Sequence, residues 1–283
     1  MKTTFRLMGV ADWITLGNGL LGTFSIASSI LAFNSFSSTH SSHVSEKYIW
    51  LAMLFIILSV LGDLIDGPIA RRYSKQRHLG GYLDLMSDSI SFGVAPAILV
   101  FGMFSRSEIS SPFWTILLAV SCCWLVMCTM LRLARFQHES NLENRWFHGL
   151  ASPGSAIFIL SLSGLVWLQP ELIPIEFANS INGDGNNSPL GWLVLLGVIL
   201  AGMLMISDRR LPKLSNGMNL NLSLVVLLSM IFATTIQISG VLSRNGKWVS
   251  FMLLSISLLL VIVHVLMGPK MCDSMLGKNN SGA

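Results

Sequence analysis

The sequence predicts an all-α, polytopic membrane protein with about eight transmembrane helices. Three observations predict it. The first is composition: 52% of the 283 residues are hydrophobic and only 11% are charged, whereas soluble domains carry about 25% charged residues. The mean hydropathy of +0.66 agrees. The second is a series of apolar runs, each close to the ~20 residues that cross a bilayer. The third is the segregation of lysine and arginine into alternate connecting segments. The net charge of +4 is then loop asymmetry and not a nucleic-acid footprint, and no nucleic-acid partner is expected.

Lys2 and Arg6 precede an apolar run, as in a signal peptide. The run Ile14–Phe33 is long enough to span, however, and no small-residue cleavage site follows it, so it predicts the first transmembrane helix. Residues 1–13 form a cytoplasmic juxtamembrane segment, with Phe5, Met8 and Trp13 laying it along the interface. The remaining spans are Tyr48–Asp66, Tyr82–Phe104, Phe113–Leu133, Ser152–Leu168, Pro189–Ile206, Leu220–Val241 and Val249–Met267. They give a membrane domain over 14–267 and a cytoplasmic tail over 268–283, expected to be unstructured. With the N-terminus cytoplasmic, the inner segments hold Lys2, Arg6, Arg71, Arg72, Lys75, Arg77, Arg132, Arg135, Arg145, Arg209, Arg210, Lys213, Lys270 and Lys278. The outer loops hold Lys47, Arg106, Arg244 and Lys247, a bias of 14 to 4 that supports both span count and orientation. The outer stretches Ser35–Ser45 and Pro170–Ser188 are polar connectors. No internal repeat or soluble domain is evident. Cys122, Cys123 and Cys128 share one span and Cys272 stands apart, which predicts membrane-buried thiols and neither disulfides nor a zinc site.

Chemistry concentrates between Gly62 and Asp88. At about 100° per residue, Asp63, Asp66, Gly67 and Ala70 share one helical stripe, with Arg71 beside it. Asp84 and Asp88 lie one turn apart on the next segment. The short basic loop Arg72–Leu79 returns the chain so that the two acidic stripes face each other at the cytoplasmic edge. Ionised carboxylates at such a position are costly unless paired, solvated or bound to metal. All-oxygen ligation favours Mg²⁺, Mn²⁺ or Ca²⁺. Two such ions would clamp phosphate oxygens during displacement at phosphorus. Gly67, Ala70 and Gly80 allow close approach to the backbone, and Arg71 offers a fork suited to phosphate. Two other readings are buried polar residues that knit helices together and a divalent-cation transport path. Transport predicts ionisable residues spread through the membrane depth, whereas these crowd at one edge with no acid in the later spans.

The spacing Asp66-Gly67-x2-Ala70-Arg71-x8-Gly80-x3-Asp84-x3-Asp88, with Asp63 three residues ahead, resembles the signature of the CDP-alcohol phosphotransferases at every position. One departure is Pro68, which predicts a kink or local unwinding of that helix. Three further stretches, Ser89-Ile-Ser-Phe-Gly-Val-Ala-Pro96, Leu131-Arg-Leu-Ala-Arg-Phe136 and Phe147-His-Gly-Leu-Ala-Ser-Pro153, resemble the integral-membrane phosphatidylserine synthases of bacteria and archaea. Ile14-Thr-Leu-Gly-Asn18 and Gly22 look like that group's first helix. The likeness runs from about residue 13 to 155. Members have proline after the Gly-Leu pair, where this chain has Ala151, which leaves the loop shape there open.

The resemblance implies a catalytic core over about 14–206 that transfers a phosphatidyl group from a CDP-linked lipid, diacyl or archaeol, to L-serine with release of CMP. It implies two divalent ions, Mg²⁺ or Mn²⁺, on Asp63, Asp66, Asp84 and Asp88, with Asp88 also the general base. It assigns Asn18, Gly67, Ala70, Arg71 and Gly80 to the CDP-lipid, and a homodimer in the cell membrane with its active site on the cytoplasmic face. Arg132 and Arg135, three apart at a helix end, suit the serine carboxylate or the lipid diphosphate, or else snorkel to headgroups. An acceptor of another kind, such as glycerol phosphate, inositol phosphate or an amino alcohol, stays open. Ser87, Ser89 and Ser91 are either substrate contacts or links between helices. His78, His138 and His148 are solvated loop residues, and His264 makes a helix–helix hydrogen bond. Arg209, Arg210 and Lys213 form a loop that attracts anionic lipid.

Overall fold

In a bilayer each backbone polar group must find its partner within the segment, so apolar runs of this length wind into helices. The computed structural model describes residues 9–35, 42–73, 80–105, 112–139, 147–172, 189–211, 218–240 and 243–280. Helix α1 spans Val10–Ser35, α2 Ser42–Tyr73 and α3 Gly80–Asp88; a wider π-helical turn over Ser89–Val94 leads into α4, Ala95–Ser105. Next come α5 (Pro112–Glu139), α6 (Ser152–Leu172), α7 (Pro189–Ile206), α8 (Met218–Ser239) and α9 (Ser243–Asn280). Among the described residues, six stretches are long and apolar enough to cross a membrane, α3 to α4 counting as one. The apolar parts of α6 and α7, Ser152–Leu168 and Leu190–Ile206, are shorter. At 1.5 Å per residue each reaches about 26 Å, near the ~30 Å of a hydrocarbon core. The protein is thus all-α and polytopic, with eight apolar segments where the sequence predicts eight spans. The interfacial residues Phe5 and Met8, most of both polar outer connectors, and Lys75, Arg77 and His78 lie outside the described residues.

Two expectations are corrected. Of the kink or unwinding expected at Pro68, the unwinding is overturned, because α2 continues for five residues to Tyr73. A proline removes a single i→i−4 bond, and the bonds on either side hold the turn. The tail also continues as helix, since α9 runs unbroken from the last span to Asn280.

Asp88 and Pro96 flank the π turn. Pro96 has no amide hydrogen to give to Phe92, so the ladder opens ahead of it. Ala95 N–H bonds Ile90 O, a five-residue step. Such π turns often accompany functional sites. They rotate the residues after Asp88 relative to α3.

Two apolar cores hold the helices. One gathers Trp50, Met53, Ile56 and Ile57 of α2 with Phe92, Leu99, Leu160, Met230 and Leu254. The other gathers Leu118 and Leu125 of α5 with Ile159, Val194, Val198 and Met205. Phe24, Phe113, Ile116, Leu196, Phe232, Leu259 and Leu266 point outward, as a lipid-facing surface requires. One short antiparallel bridge ties two connections together: Phe147 pairs with Leu211 and His148 with Arg210.

Candidate active site

Helix α1 packs against both α2 and α3. Thr15, Asn18, Gly19 and Gly22 form one stripe of small and polar residues on α1. Against α3 and the π turn, Ser87 Oγ donates to the Thr15 carbonyl (2.8 Å) and Ser91 Oγ to the Asn18 carbonyl (2.9 Å). Against α2, Ser59 Oγ donates to the same Asn18 carbonyl at 3.2 Å. A Cβ on Gly19 would lie 3.2 Å from Ser87 Oγ, and one on Gly22 only 2.9 Å from Ser91 Cα. Small residues allow helices to approach this closely. The Asn18 side chain is buried, with its Oδ1 occupying the place a Gly62 side chain would take.

This packing brings three carboxylates together. Asp63 follows Gly62, and Asp88 sits between Ser87 and Ser91. One oxygen from each of Asp63, Asp84 and Asp88 lies within 4.8 Å of the others. Oxygens on opposite sides of a Mg²⁺ ion stand about 4.2 Å apart, twice a ~2.1 Å bond. The donor set is all carboxylate, which suits a hard divalent cation. Asp88 is 9% exposed, which places it at the closed end of the cluster. The side chains of Asp66, Gly67, Ala70 and Arg71 lie outside the described residues, although their backbone is part of α2. Gly80, buried, opens α3.

The arginine pair divides. Arg132 is 7% exposed, donates from Nε to the Leu150 carbonyl at 3.3 Å, and stacks over Phe136 at 5.2 Å. Arg135 turns outward to Asp208 at 2.7 Å and lies 3.5 Å from the Ile206 carbonyl. Residues three apart differ by about 60° around a helix, enough to send one side chain inward and the other to the rim. Two contacts fix the depth of Arg132. A Cβ on Gly81 would meet the Gln137 side chain at 3.5 Å, and one on Gly93 would meet Thr129 at 3.2 Å. Arg132 lies between those α5 residues, and Asp88 between the two glycines.

The connection after α5 is held by the end of α7. Gly149 has a φ of 76°, which glycine adopts without strain. Its amide donates to Arg209 O at 2.8 Å and that of Leu150 to Leu204 O at 2.9 Å. Helix α6 then starts at Ser152, with Ala151 at its cap. The absence of proline at 151 therefore leaves the helix start intact.

Of the three serines left open by sequence, Ser87 and Ser91 are links between helices, and Ser89 bonds its own helix at Leu85 O. Sequence reasoning missed Thr15 and Ser59. The signal was the spacing 15, 18, 19, 22 of small and polar residues, one face of a helix in contact with others.

Comparison with known proteins agrees with this geometry. A family model, CDP-alcohol phosphatidyltransferase, matches residues 8–200. A Methanocaldococcus jannaschii protein named CDP-diacylglycerol–serine O-phosphatidyltransferase is 30% identical over 211 residues, covering 75% of this chain and 77% of that protein. A Saccharomyces cerevisiae protein of the same name is 31% identical over 166 residues, covering 56% of this chain and 54% of its own. A Bacillus subtilis protein of that name is 31% identical over 150 residues, covering 53% and 72%. The chain therefore spans about half the length of the yeast relative and about three quarters of the archaeal one. With two thirds of its length matched by the family model and its acids gathered at one end of the bundle, this chain belongs to the CDP-alcohol phosphatidyltransferase family.

Proposed function

We propose that this integral membrane protein is a phosphatidylserine synthase, transferring the phosphatidyl group of a CDP-linked lipid to the hydroxyl of L-serine. The observation that carries the reading is the convergence of Asp63, Asp84 and Asp88, in a chain whose relatives carry that name. Asp63, Asp66, Asp84 and Asp88 would hold two divalent ions, Mg²⁺ or Mn²⁺, which would supply positive charge to the diphosphate and to the leaving CMP. Asp88, enclosed between Ser87 and Ser91, accepts the proton of the serine hydroxyl as that oxygen attacks the lipid-bearing phosphorus. The bond from this phosphorus to the CMP oxygen breaks, and CMP leaves with the electron pair. Arg71 contacts the diphosphate, and the backbones at Gly67, Ala70 and Gly80 leave room for the nucleotide. Asn18 keeps its amide at the edge of this space, beside Gly62. Arg132 faces the acceptor, whereas Arg135 is occupied at the rim by Asp208.

The positive-charge bias supports a cytoplasmic N-terminus and active site. A homodimer belongs to the reading through family resemblance. The test is CMP release by purified protein given CDP-diacylglycerol and Mg²⁺ or Mn²⁺, with L-serine, glycerol phosphate, inositol phosphate and ethanolamine compared. Serine should react far faster than the others. A faster reaction with a phosphorylated acceptor would replace the serine reading with another member of the same class.

A further inference from the structure

Helix α5 meets the continuous rod of α3 and α4 at two levels. A Cβ on Gly81, in the first turn of α3, would lie 3.5 Å from the Gln137 side chain of α5. On α4, Ala97 and Val100 are buried in one core with Leu118, Cys122 and Leu125 of α5. Gly81 and Val100 therefore face the same neighbour. They stand nineteen residues apart. An unbroken α-helix turns by about 100° per residue, so it would leave them about 100° apart after five whole turns. The π turn between them removes this mismatch. It closes over one residue more than an α turn, and one residue corresponds to the same ~100°.

The acids of α3 depend on this phase. Asp84 and Asp88 lie about 60° and 20° around the helix from Gly81, and Ser87 lies about 120° away on the same side. Ser87 bonds α1, so the two carboxylates open into the wedge between α1 and α5. Closing the turn as ordinary α-helix, with α4 held in its core, would rotate α3 by about 100°. A carboxylate ~5–6 Å from the axis would then move by about 8 Å. That is well beyond the 4.8 Å that contains the oxygens of Asp63, Asp84 and Asp88. Pro96, buried in the first turn of α4, stands against that closure. In an α register its amide would serve the Phe92 carbonyl, but proline has no N–H and its ring presses on that carbonyl. The wider turn avoids the clash, with Ala95 N–H reaching back to Ile90 O.

We infer that Pro96 is a positioning residue for the metal-binding carboxylates: it fixes the π turn, and the extra residue of that turn aims Asp84 and Asp88 at Asp63. This rests on the metal site proposed above and on no particular acceptor.

The experiment uses the full-length protein in detergent–lipid micelles and three variants: P96A, P96A with Val94 deleted, and P112A as control. Alanine at 96 restores the amide and suits a helix interior better than proline. The ladder can then close as α-helix, and the extra residue is left to turn α3. Deleting Val94, half-buried at the end of the turn, removes that residue. Gly81 and Val100 are then eighteen apart, about five whole turns, and the acids return to their face. Pro112 is exposed at the start of α5, where a proline disturbs no ladder bond. Bound Mn²⁺ is titrated by electron paramagnetic resonance without substrate, and CMP release is measured with CDP-diacylglycerol and L-serine. P96A should keep the parent thermal midpoint or exceed it. It should bind Mn²⁺ about ten- to a hundredfold more weakly, the scale for groups that orient metal ligands, and turn over about 10²-fold more slowly. Deleting Val94 in that variant should bring Mn²⁺ affinity back to near the parent value, and P112A should match the parent throughout. Parent-like Mn²⁺ binding in P96A would overturn the inference. So would a loss that the deletion fails to repair, which signals local packing at Pro96 and not the phase of α3. A parent that binds no Mn²⁺ would overturn the metal reading itself.

Discussion

Replacing Gly22 with alanine should disable the enzyme without touching any acid. A methyl there would lie 2.9 Å from Ser91 Cα and 3.1 Å from Ser91 N, both backbone atoms that no rotamer change can move. Carbon atoms settle at about 3.5–4.0 Å, so α1 and the π turn must separate by roughly 0.6–1 Å. Ser91 is one turn from Asp88, whereas Asp63 is packed against α1 separately, through Gly62 and Asn18. The separation therefore opens the gap between Asp63 and Asp88. A misplacement of about 1 Å at reacting groups costs about 10²-fold in rate. Turnover should fall by about that factor, measured as CMP release at saturating L-serine and CDP-diacylglycerol. Gly17→Ala is the control: it lies on the same helix with nothing within 4 Å of the added methyl. It should keep parent activity and match or exceed parent thermal stability, since alanine favours helix by about 1 kcal/mol over glycine. Near-parent turnover in Gly22→Ala, with Gly17→Ala unchanged, would refute the claim that the α1 contact sets the carboxylate geometry.

Excess EDTA should abolish CMP release and added Mg²⁺ or Mn²⁺ should restore it; full activity in chelator would remove the metal assignment. Asp88→Asn should keep CDP-lipid binding, measured by equilibrium retention of labelled lipid, while turnover drops by about 10²-fold or more. Arg132→Ala should raise KM for L-serine by about ten- to a hundredfold, the scale of losing a charge-assisted bond. Arg135→Ala should change the same KM by less than about fivefold, because an ion pair at 34% and 85% exposure contributes at most about 1 kcal/mol; the opposite ranking would reverse the division of the two arginines.

The acids were legible because their chemistry is periodic. Asp63 with Asp66, and Asp84 with Asp88, share helical stripes whatever the helices pack against. The structure brings together Asp63, Asp84 and Asp88 as that periodicity implies. Serine roles were not legible, since a hydroxyl in a membrane helix bonds whatever carbonyl its neighbour presents, and only packing names the neighbour. Ser87 and Ser91 bond α1, while Ser89, on another face, bonds its own helix. The arginine pair shows the same limit. A spacing of three reads as nearly one face, yet the ~60° that remains decides between the interior and Asp208. Pro68 and the segment after Gly268 were read from local rules, and in both cases the continuity of a long helix outweighs one breaker.

The contacts of α1 explain how acids can converge before any cation arrives. Three ionised carboxylates this close repel one another, and flexible side chains on loosely packed helices would swing apart. Here a single backbone carbonyl, that of Asn18, accepts one hydroxyl from α2 and another from the π turn. It thereby binds the two acid-bearing elements to one point on α1. Gly19 and Gly22 bring α3 and the π turn against the same helix, and the Asn18 side chain fills the space at Gly62. Packing and hydrogen bonds remote from the carboxylates thus help to hold the three acids together. A site organised in advance loses less entropy when it takes up its ion and substrate. The small residues of α1 therefore belong to the proposed active site as much as the aspartates do, although none of them is placed against the reacting phosphorus.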